Sequence, residues 1–287
     1  MIWLIGNRGM LGTDVEQSLN RHSLAYRASD VDVDITDYAA LKAYAASSPV
    51  EWIINCSAYT AVDAAEDERE KAFLVNAEGV LNIARVANEI GAALVHVSTD
   101  YVFDGDKTEA YREDDPTNPI GAYGESKLAG ERHVVSALER HFIVRTAWLY
   151  GETGKNFVHT MIRLFRERDE VRVVADQWGS PTFTGDLAEA LVTVVKSNST
   201  RYGIYHYTNE GRTTWHEFAL AIYDLSRRHG LVDRDVRIVP ITTAEYPTKA
   251  RRPKNSYLSK EKMIRDLGVR CRPWREALEE CIAGLKK

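Results

Sequence analysis

Tyr123 and Lys127 stand four residues apart in AYGESKLAGE, shortly after a strand-like run, LVHVSTDYVFDG, that carries Ser98, Thr99 and Asp100. On a helix, a phenol and an ammonium at that spacing face the same way. An adjacent cation stabilises phenolate, so the spacing predicts a tyrosine whose pKa falls toward the range of a general acid or base. A hydroxyl at the end of the preceding strand can polarise the same carbonyl. Together the three groups read as a site for turning a ketone into an alcohol. A second Tyr-x-x-x-Lys, Tyr38 to Lys42 in TDYAALKAYAAS, follows no hydroxyl-bearing strand end and lies among alanines, so it reads as an ordinary surface helix. With 14 tyrosines in the chain one chance match is unsurprising, and context selects Tyr123.

The elements that must position this pair alternate. Candidate strands are Ile2–Ile5, Trp52–Cys56, Leu94–Ser98 and Phe142–Thr146; between them lie helix-like stretches at Leu11–Asn20, Ala39–Ala46, Lys71–Ile90 and Ser126–Leu138. Continuous apolar strands alternating with helices imply an α/β fold, a Rossmann-type doubly wound parallel sheet covered on both faces. Ligands bind such sheets beyond the carboxyl ends of the strands, where the glycine turn, Ser57, Thr99 and Trp148 all fall. After residue 150 the pattern loosens into a smaller α/β lobe. The expected division is a dinucleotide-binding domain over 1–150, with 170–200 returning to it, and an interleaved substrate lobe over 151–169 and 201–287.

The first strand runs into Gly6-Asn7-Arg8-Gly9-Met10-Leu11-Gly12. This G-x-x-G-x-x-G turn permits close backbone approach to a pyrophosphate and tight packing of the next helix. The second strand, in HSLAYRASD, offers Arg27, Ala28 and Ser29 where NAD enzymes usually place an acid. A guanidinium there suits the 2′-phosphate of NADP, or is simply solvated surface. Asp34 is placed either to meet the adenine end or to serve as a helix N-terminal acid. Ser57, Ala58 and Tyr59 close another strand with small groups that let a cofactor pass, with Asp63 and Glu66 beyond. Trp148 ends a strand on the substrate side, as a wall for a sugar ring or as core. The RRPKNSYLS loop, with Arg251, Arg252 and Lys254, is the best local candidate for a diphosphate clamp; Arg252 and Asn255 are taken from it as substrate contacts. His96, His206 and His216 form no spaced set and read as structural.

With 287 residues, 44% hydrophobic and 28% charged, the chain has the composition of a soluble globular protein. A formal net charge of −5 argues against non-specific nucleic-acid binding. No apolar run approaches a membrane span, and the N-terminus lacks the zones of a signal peptide. Cys56, Cys271 and Cys281 are isolated and show no metal-ligand spacing; no acidic cluster that would hold a magnesium ion is placed either, no metal is expected, and the cytosol is the expected compartment.

The segments GNRGMLG, NCSAYTAVDAAED, VHVSTDYVFDG, YGESKLAGE, VRTAWLYG, NFVHTMIRL, DQWGSPT, TTWHEFA and YPTKARRPKNSYLS, in this order, resemble the dTDP-4-dehydrorhamnose reductases, extended short-chain dehydrogenase-like enzymes of nucleotide-sugar metabolism. The resemblance spans nearly the whole chain. It implies reduction of the 4-keto group of dTDP-4-dehydro-6-deoxy-L-mannose by NADPH or NADH. Tyr123 would supply the proton, Lys127 would lower its pKa and hold the nicotinamide ribose, and Thr99 would bond the carbonyl oxygen. Asp100, Tyr101, Val102 and Trp148 match sugar-site positions; Gly9, Met10, Leu11, Gly12, Asp34, Ile35 and Ser57 to Tyr59 match cofactor contacts. Arg27 replaces an acid seen in some members, which favours NADPH. The implied protein is a monomer or homodimer.

Related 4,6-dehydratases carry an acid directly after the Thr-Asp; here Tyr101 stands there, which argues against dehydration. Epimerisation at the fourth carbon uses the same Tyr-Lys chemistry and remains a second reading. A non-catalytic NADP-binding regulatory subunit of a partner enzyme is a third, although Thr99, Tyr123, Lys127 and Trp148 are all present.

Overall fold

The computed structural model describes residues 1–285. Its strands are β1 Ile2–Ile5, β2 Tyr26–Ser29, β3 Trp52–Asn55, β4 Ala93–Thr99, β5 His141–Thr146, β6 Leu149–Tyr150, β7 Glu170–Val174, β8 Trp178–Gly179, β9 Thr182–Phe183, β10 Gly203–His206, β11 Thr213–Thr214 and β12 Arg237–Ile241. The longer helices are α1 Met10–Arg21, α2 Tyr38–Ala46, α3 Arg69–Phe73, α4 Val80–Ile90, α5 Ala122–Ala137, α6 Phe157–Glu167, α7 Thr184–Ser197, α8 Trp215–Arg228, α9 Glu261–Leu267 and α10 Trp274–Gly284. Six strands form one parallel sheet in the order β10-β5-β4-β3-β1-β2.

Apolar runs make these strands because both faces are covered. On one face, Val15 and Leu19 of α1, the apolar side of α7, and Met263 and Leu267 of α9 pack over the sheet. On the other, α2, α4 and the Val134 end of α5 do so. The segment expected as one helix over Lys71–Ile90 begins at Arg69 and carries a π-type turn at Leu74–Gly79, a local widening that recurs at functional sites. The helix expected from Ser126 starts four residues earlier, at Ala122, and so includes Tyr123.

The second lobe builds its own core from α6, α8, α10 and β7, around Phe165, Phe218 and Trp274. Thr214 opens α8 with a capping box to Glu217. The chain crosses between the lobes differently from the division drawn on sequence. Within the expected return of 170–200, helix α7 does pack on the large sheet, whereas strand β7 pairs with β12; β10 and α9, both beyond residue 200, also belong with that sheet. The loose pattern after residue 150 hid this, because β10 is only four residues long and pairs with β5 alone.

One buried ion pair ties α5 to the sheet. Glu131 accepts two hydrogen bonds from Arg145 Nε and one from Nη2, at 2.7–3.2 Å, and a further one from the Ser98 hydroxyl. Both charged side chains are 2% exposed. Removing one member of such a pair strands the other in a dry site. Glu131→Ala is expected to lower unfolding free energy by about 3–5 kcal/mol in urea denaturation, and Glu131→Met with Arg145→Met to recover much of that loss. A double variant no more stable than the single one would contradict this account.

Candidate active site

The glycine turn is tight because Gly6 has φ +83° and Gly12 packs against it; a Cβ on Gly12 would lie 2.0 Å from the Gly6 carbonyl oxygen. Helix α1 starts at Gly9 with no side-chain cap and no acid in its first turn. Its leading N–H groups therefore stay open, and the positive end of its dipole is unopposed, as a pyrophosphate requires. The expected contacts Gly6, Gly9, Met10, Leu11 and Gly12 all lie on this cradle.

Arg27 does not. Its guanidinium stacks 3.5 Å above the Tyr44 ring and donates to Ser47, just past the C-terminal end of α2. A crossover helix runs antiparallel to its strands, so this is the amino-terminal edge of the sheet, away from the crevice. The residue that follows the end of β2 is Asp30. Ile5 pairs with Ser29, which puts Asp30 beside Gly6, and its carboxylate accepts from the Arg8 N–H at 3.0 Å. Counting register from the first glycine would have found it. Asp34 is exposed and one of its oxygens accepts from both N–H and hydroxyl of Thr36, while Asn82 donates to the Ile35 carbonyl.

Past β3, Ser57 and Tyr59 are held by two buried asparagines: Asn55, read in the sequence only as part of the strand end, and Asn76, which sequence reasoning missed. Asn55 accepts from the N–H and hydroxyl of Ser57 and bonds His96 Nδ1; Asn76, in the π-type turn, brackets Tyr59 and donates to Ser126 of α5. Ala58 lies between them. The floor of the crevice and the helix carrying Tyr123 are thus latched together.

Tyr123 and Lys127 meet Thr99 and Asp100 at the carboxyl end of β4. Close approach is possible because a Cβ on Gly124 would lie 2.2 Å from the Tyr101 carbonyl oxygen. Ser98 points the other way, to Glu131. Thr99 donates to Asp100 Oδ1 at 2.9 Å, whereas Asp100 Oδ2 is buried with no partner. Lys127 is 2% exposed and donates to the Val97 carbonyl at 2.8 Å. The expected fall in the tyrosine's pKa is not found. Burial, reinforced by the Asp100 carboxylate, pushes Tyr123 up to about 12, against a smaller opposing pull from Thr99. Burial also brings Lys127 down to about 8, with Glu131 resisting. Desolvation therefore favours the protonated phenol of Tyr123, the form that donates. The second pair, Tyr38 and Lys42, bonds Glu89 on the surface.

On the other side, Tyr101 stands edge-on to Tyr123, with ring centroids 5.6 Å apart. Val102 is different from its expectation: it is fully buried among Phe103, Tyr111, Leu128 and Leu258, an apolar core position. Asn255 is also a correction. Its amide donates to the carbonyls of Lys107 and Glu109 and accepts from the Tyr257 N–H, so its polar atoms are consumed holding loops. Arg252 forms a two-pronged pair with Asp63 and lines a cavity of about 870 Å³, within the range of ligand sites. Arg251 and Lys254 point outward. Trp148 has φ +48°, uncommon for a large side chain, and stacks on Trp215 at 3.7 Å, 14° from parallel. Trp215 lines the same cavity; its place opening a capped helix in TTWHEFA gave only a structural signal.

The sequence model described as RmlD substrate binding domain matches residues 1–287. A curated dTDP-4-dehydrorhamnose reductase from Burkholderia thailandensis is 39% identical over 99% of this chain and 98% of its own length. The chain belongs to the dTDP-4-dehydrorhamnose reductase family. The solved reductase of Clostridium acetobutylicum superposes with a TM-score of 0.93 at 40% identity, covering 100% of this chain and 99% of that one. That of Bacillus anthracis, solved in complex with NADP, gives 0.91 at 40% identity over 98% and 97%. Within this family fold, the buried Asp100 is an electrostatic load: burial raises its pKa from 3.8 to about 6, with Ser256 and Thr99 pulling the other way. The folded state then holds the proton more tightly than the unfolded chain, so the ionised group costs stability in full above about pH 6; the cost shrinks as pH falls from there to 3.8 and is gone below. Asp100→Asn is expected to stabilise the protein near neutral pH by at most about 3 kcal/mol and to add nothing at strongly acid pH. Equal effects at both pH values in denaturant titrations would contradict the assignment.

Proposed function

We propose that the protein reduces the 4-keto group of dTDP-4-dehydro-6-deoxy-L-mannose to the hydroxyl of dTDP-L-rhamnose, with NADPH as reductant. The observation that carries this is the half-buried Tyr123 beside Thr99 at the carboxyl end of β4, next to an open pyrophosphate cradle, in a chain of this family. The NADP found in the Bacillus anthracis relative supports the choice of cofactor.

The α1 N-terminus and Gly6–Gly12 turn would hold the pyrophosphate, and Ser57, Ala58 and Tyr59 would floor the crevice. Lys127, with donors left after its bond to Val97, would take the nicotinamide ribose. When bound, the reduced nicotinamide supplies the hydride to the fourth carbon of the sugar. As negative charge develops on the keto oxygen, the Thr99 hydroxyl would turn its single proton from Asp100 to that oxygen, and Tyr123 would deliver its phenolic proton. The phenolate left behind is stabilised by the Lys127 ammonium until solvent returns the proton. The second lobe would bind the nucleotide: Trp148 and Trp215 present an aromatic wall and Arg252 a cation at the cavity edge. The three unpaired cysteines fit a reducing, cytosolic setting.

Loss of reduced-nicotinamide absorbance on mixing protein, NADPH and the dTDP keto-sugar is the direct test. Oxidation only with another keto-sugar would overturn the substrate assignment. Tyr123→Phe is expected to lower kcat by roughly 100-fold or more while leaving the Kd for NADPH nearly unchanged; unchanged turnover would remove Tyr123 from the chemistry. Because burial lowers Lys127 to about 8, its cation is present below that pH and lost above it. The kcat/KM for NADPH at saturating sugar is therefore expected to fall as pH rises through this region, and Lys127→Arg to move the fall to higher pH. A profile flat well into the alkaline range would count against the cation's role.

A further inference from the structure

We infer that Arg8, and not Arg27, is the residue that takes the 2′-phosphate of NADP. The assignment rests on the dinucleotide-binding reading of the glycine turn. The N–H groups of Gly6 and Asn7 both point to the Ser29 carbonyl, at 2.7 and 3.4 Å, so the turn lies along the carboxyl end of β2. Side chains at that strand end meet the adenine ribose in this type of crevice. The Arg8 backbone is fixed there by its bond to Asp30, while its guanidinium is 67% exposed and has a single ionic partner among the described residues, Asp32, at 3.9 Å. Exposed pairs at such a distance hold little energy, so the guanidinium is free to turn to a phosphate that accepts two hydrogen bonds.

The acid at this strand end is meanwhile committed to the turn itself. Asp30 Oδ1 accepts from the Val31 N–H and Oδ2 from the Arg8 N–H. The Ser29 hydroxyl accepts from the Trp3 indole at 2.9 Å. Each Asp30 oxygen thus already serves a backbone N–H while keeping room for one more bond, and the cation that can meet a phosphate at this strand end is the Arg8 guanidinium. Arg27, stacked on Tyr44 and bonded to Ser47, is held at the opposite edge of the sheet.

Calorimetric titration of the intact protein with 2′,5′-ADP and with ADP tests this without any sugar substrate, so a failure of the sugar assignment leaves the experiment readable. The wild-type protein is expected to bind 2′,5′-ADP more tightly than ADP. Arg8→Ala is expected to weaken 2′,5′-ADP roughly tenfold or more, with ADP binding unchanged as the control for folding. Arg8→Lys should restore part of the preference, and Arg27→Ala should leave it intact. An unaltered preference in Arg8→Ala, its loss in Arg27→Ala, or no preference in the wild-type protein would each overturn the assignment. Failure of both probes to bind would sink it together with the dinucleotide reading.

Discussion

Glu131 lies buried one helical turn beyond Lys127, with Arg145 of β5 bonded to both its oxygens and Ser98 of β4 to one, so α5 is tied to two adjacent strands at the same level. The position of Tyr123 follows from that tie. A helix sliding by one residue against the sheet would move the phenol by about 1.5 Å and turn it by about 100°, enough to break its alignment with Thr99. Apolar packing alone tolerates such shifts, whereas a two-pronged guanidinium pair does not. Asn76 adds a second tie from the opposite side, joining Ser126 to the loop after β3. The loop after β3, the end of β4 and the helix carrying Tyr123 are thereby made one rigid unit.

Rigidity in a dry place has an electrostatic consequence. Three ionisable groups converge within this unit, and burial acts on each against its charged form: Tyr123 and Asp100 rise, Lys127 falls. The arrangement opposes phenolate in the ground state and therefore suits a reaction in which the phenol gives up its proton only as charge appears on a neighbouring oxygen. Asp100 contributes to this bias, since its carboxylate raises the phenol further, and its unpartnered oxygen leaves an acceptor directed at no protein group.

Much of this was legible because it depends on local chemistry. The parallel sheet, the glycine cradle and the selection of Tyr123 over Tyr38 follow from apolar runs, turn residues and the hydroxyl-bearing strand end. What escaped was set by direction rather than identity. Arg27 looked like a cofactor residue because it is cationic and near a strand end, but the aromatic face of Tyr44 holds it toward the far edge. Val102 and Asn255 resembled ligand contacts, yet one points into the core and the other spends its amide on two loop carbonyls. The predicted depression of the tyrosine's pKa failed for a related reason: spacing gives the neighbour, and burial decides which way the charge moves.

Trp148 shows how the two lobes are made to share a cleft. It lies between β5, the last strand of the first lobe before the crossing, and β6, which pairs with β9. At that point the backbone adopts a left-handed conformation that an aromatic side chain disfavours, by about 1–3 kcal/mol. The stack on Trp215, the first residue of α8, offsets that cost and fixes the indole in the opening. Trp215 in turn packs on Phe157 at the start of α6 and on Phe218 in the second core. A strained residue in the chain leaving the sheet is thus stabilised by the core of the other lobe, so the geometry of the opening depends on both lobes being folded. This explains why a residue so poorly suited to its backbone angle stands there: glycine would relieve the strain, but it would remove the stack on Trp215 that joins the strand end to the second core.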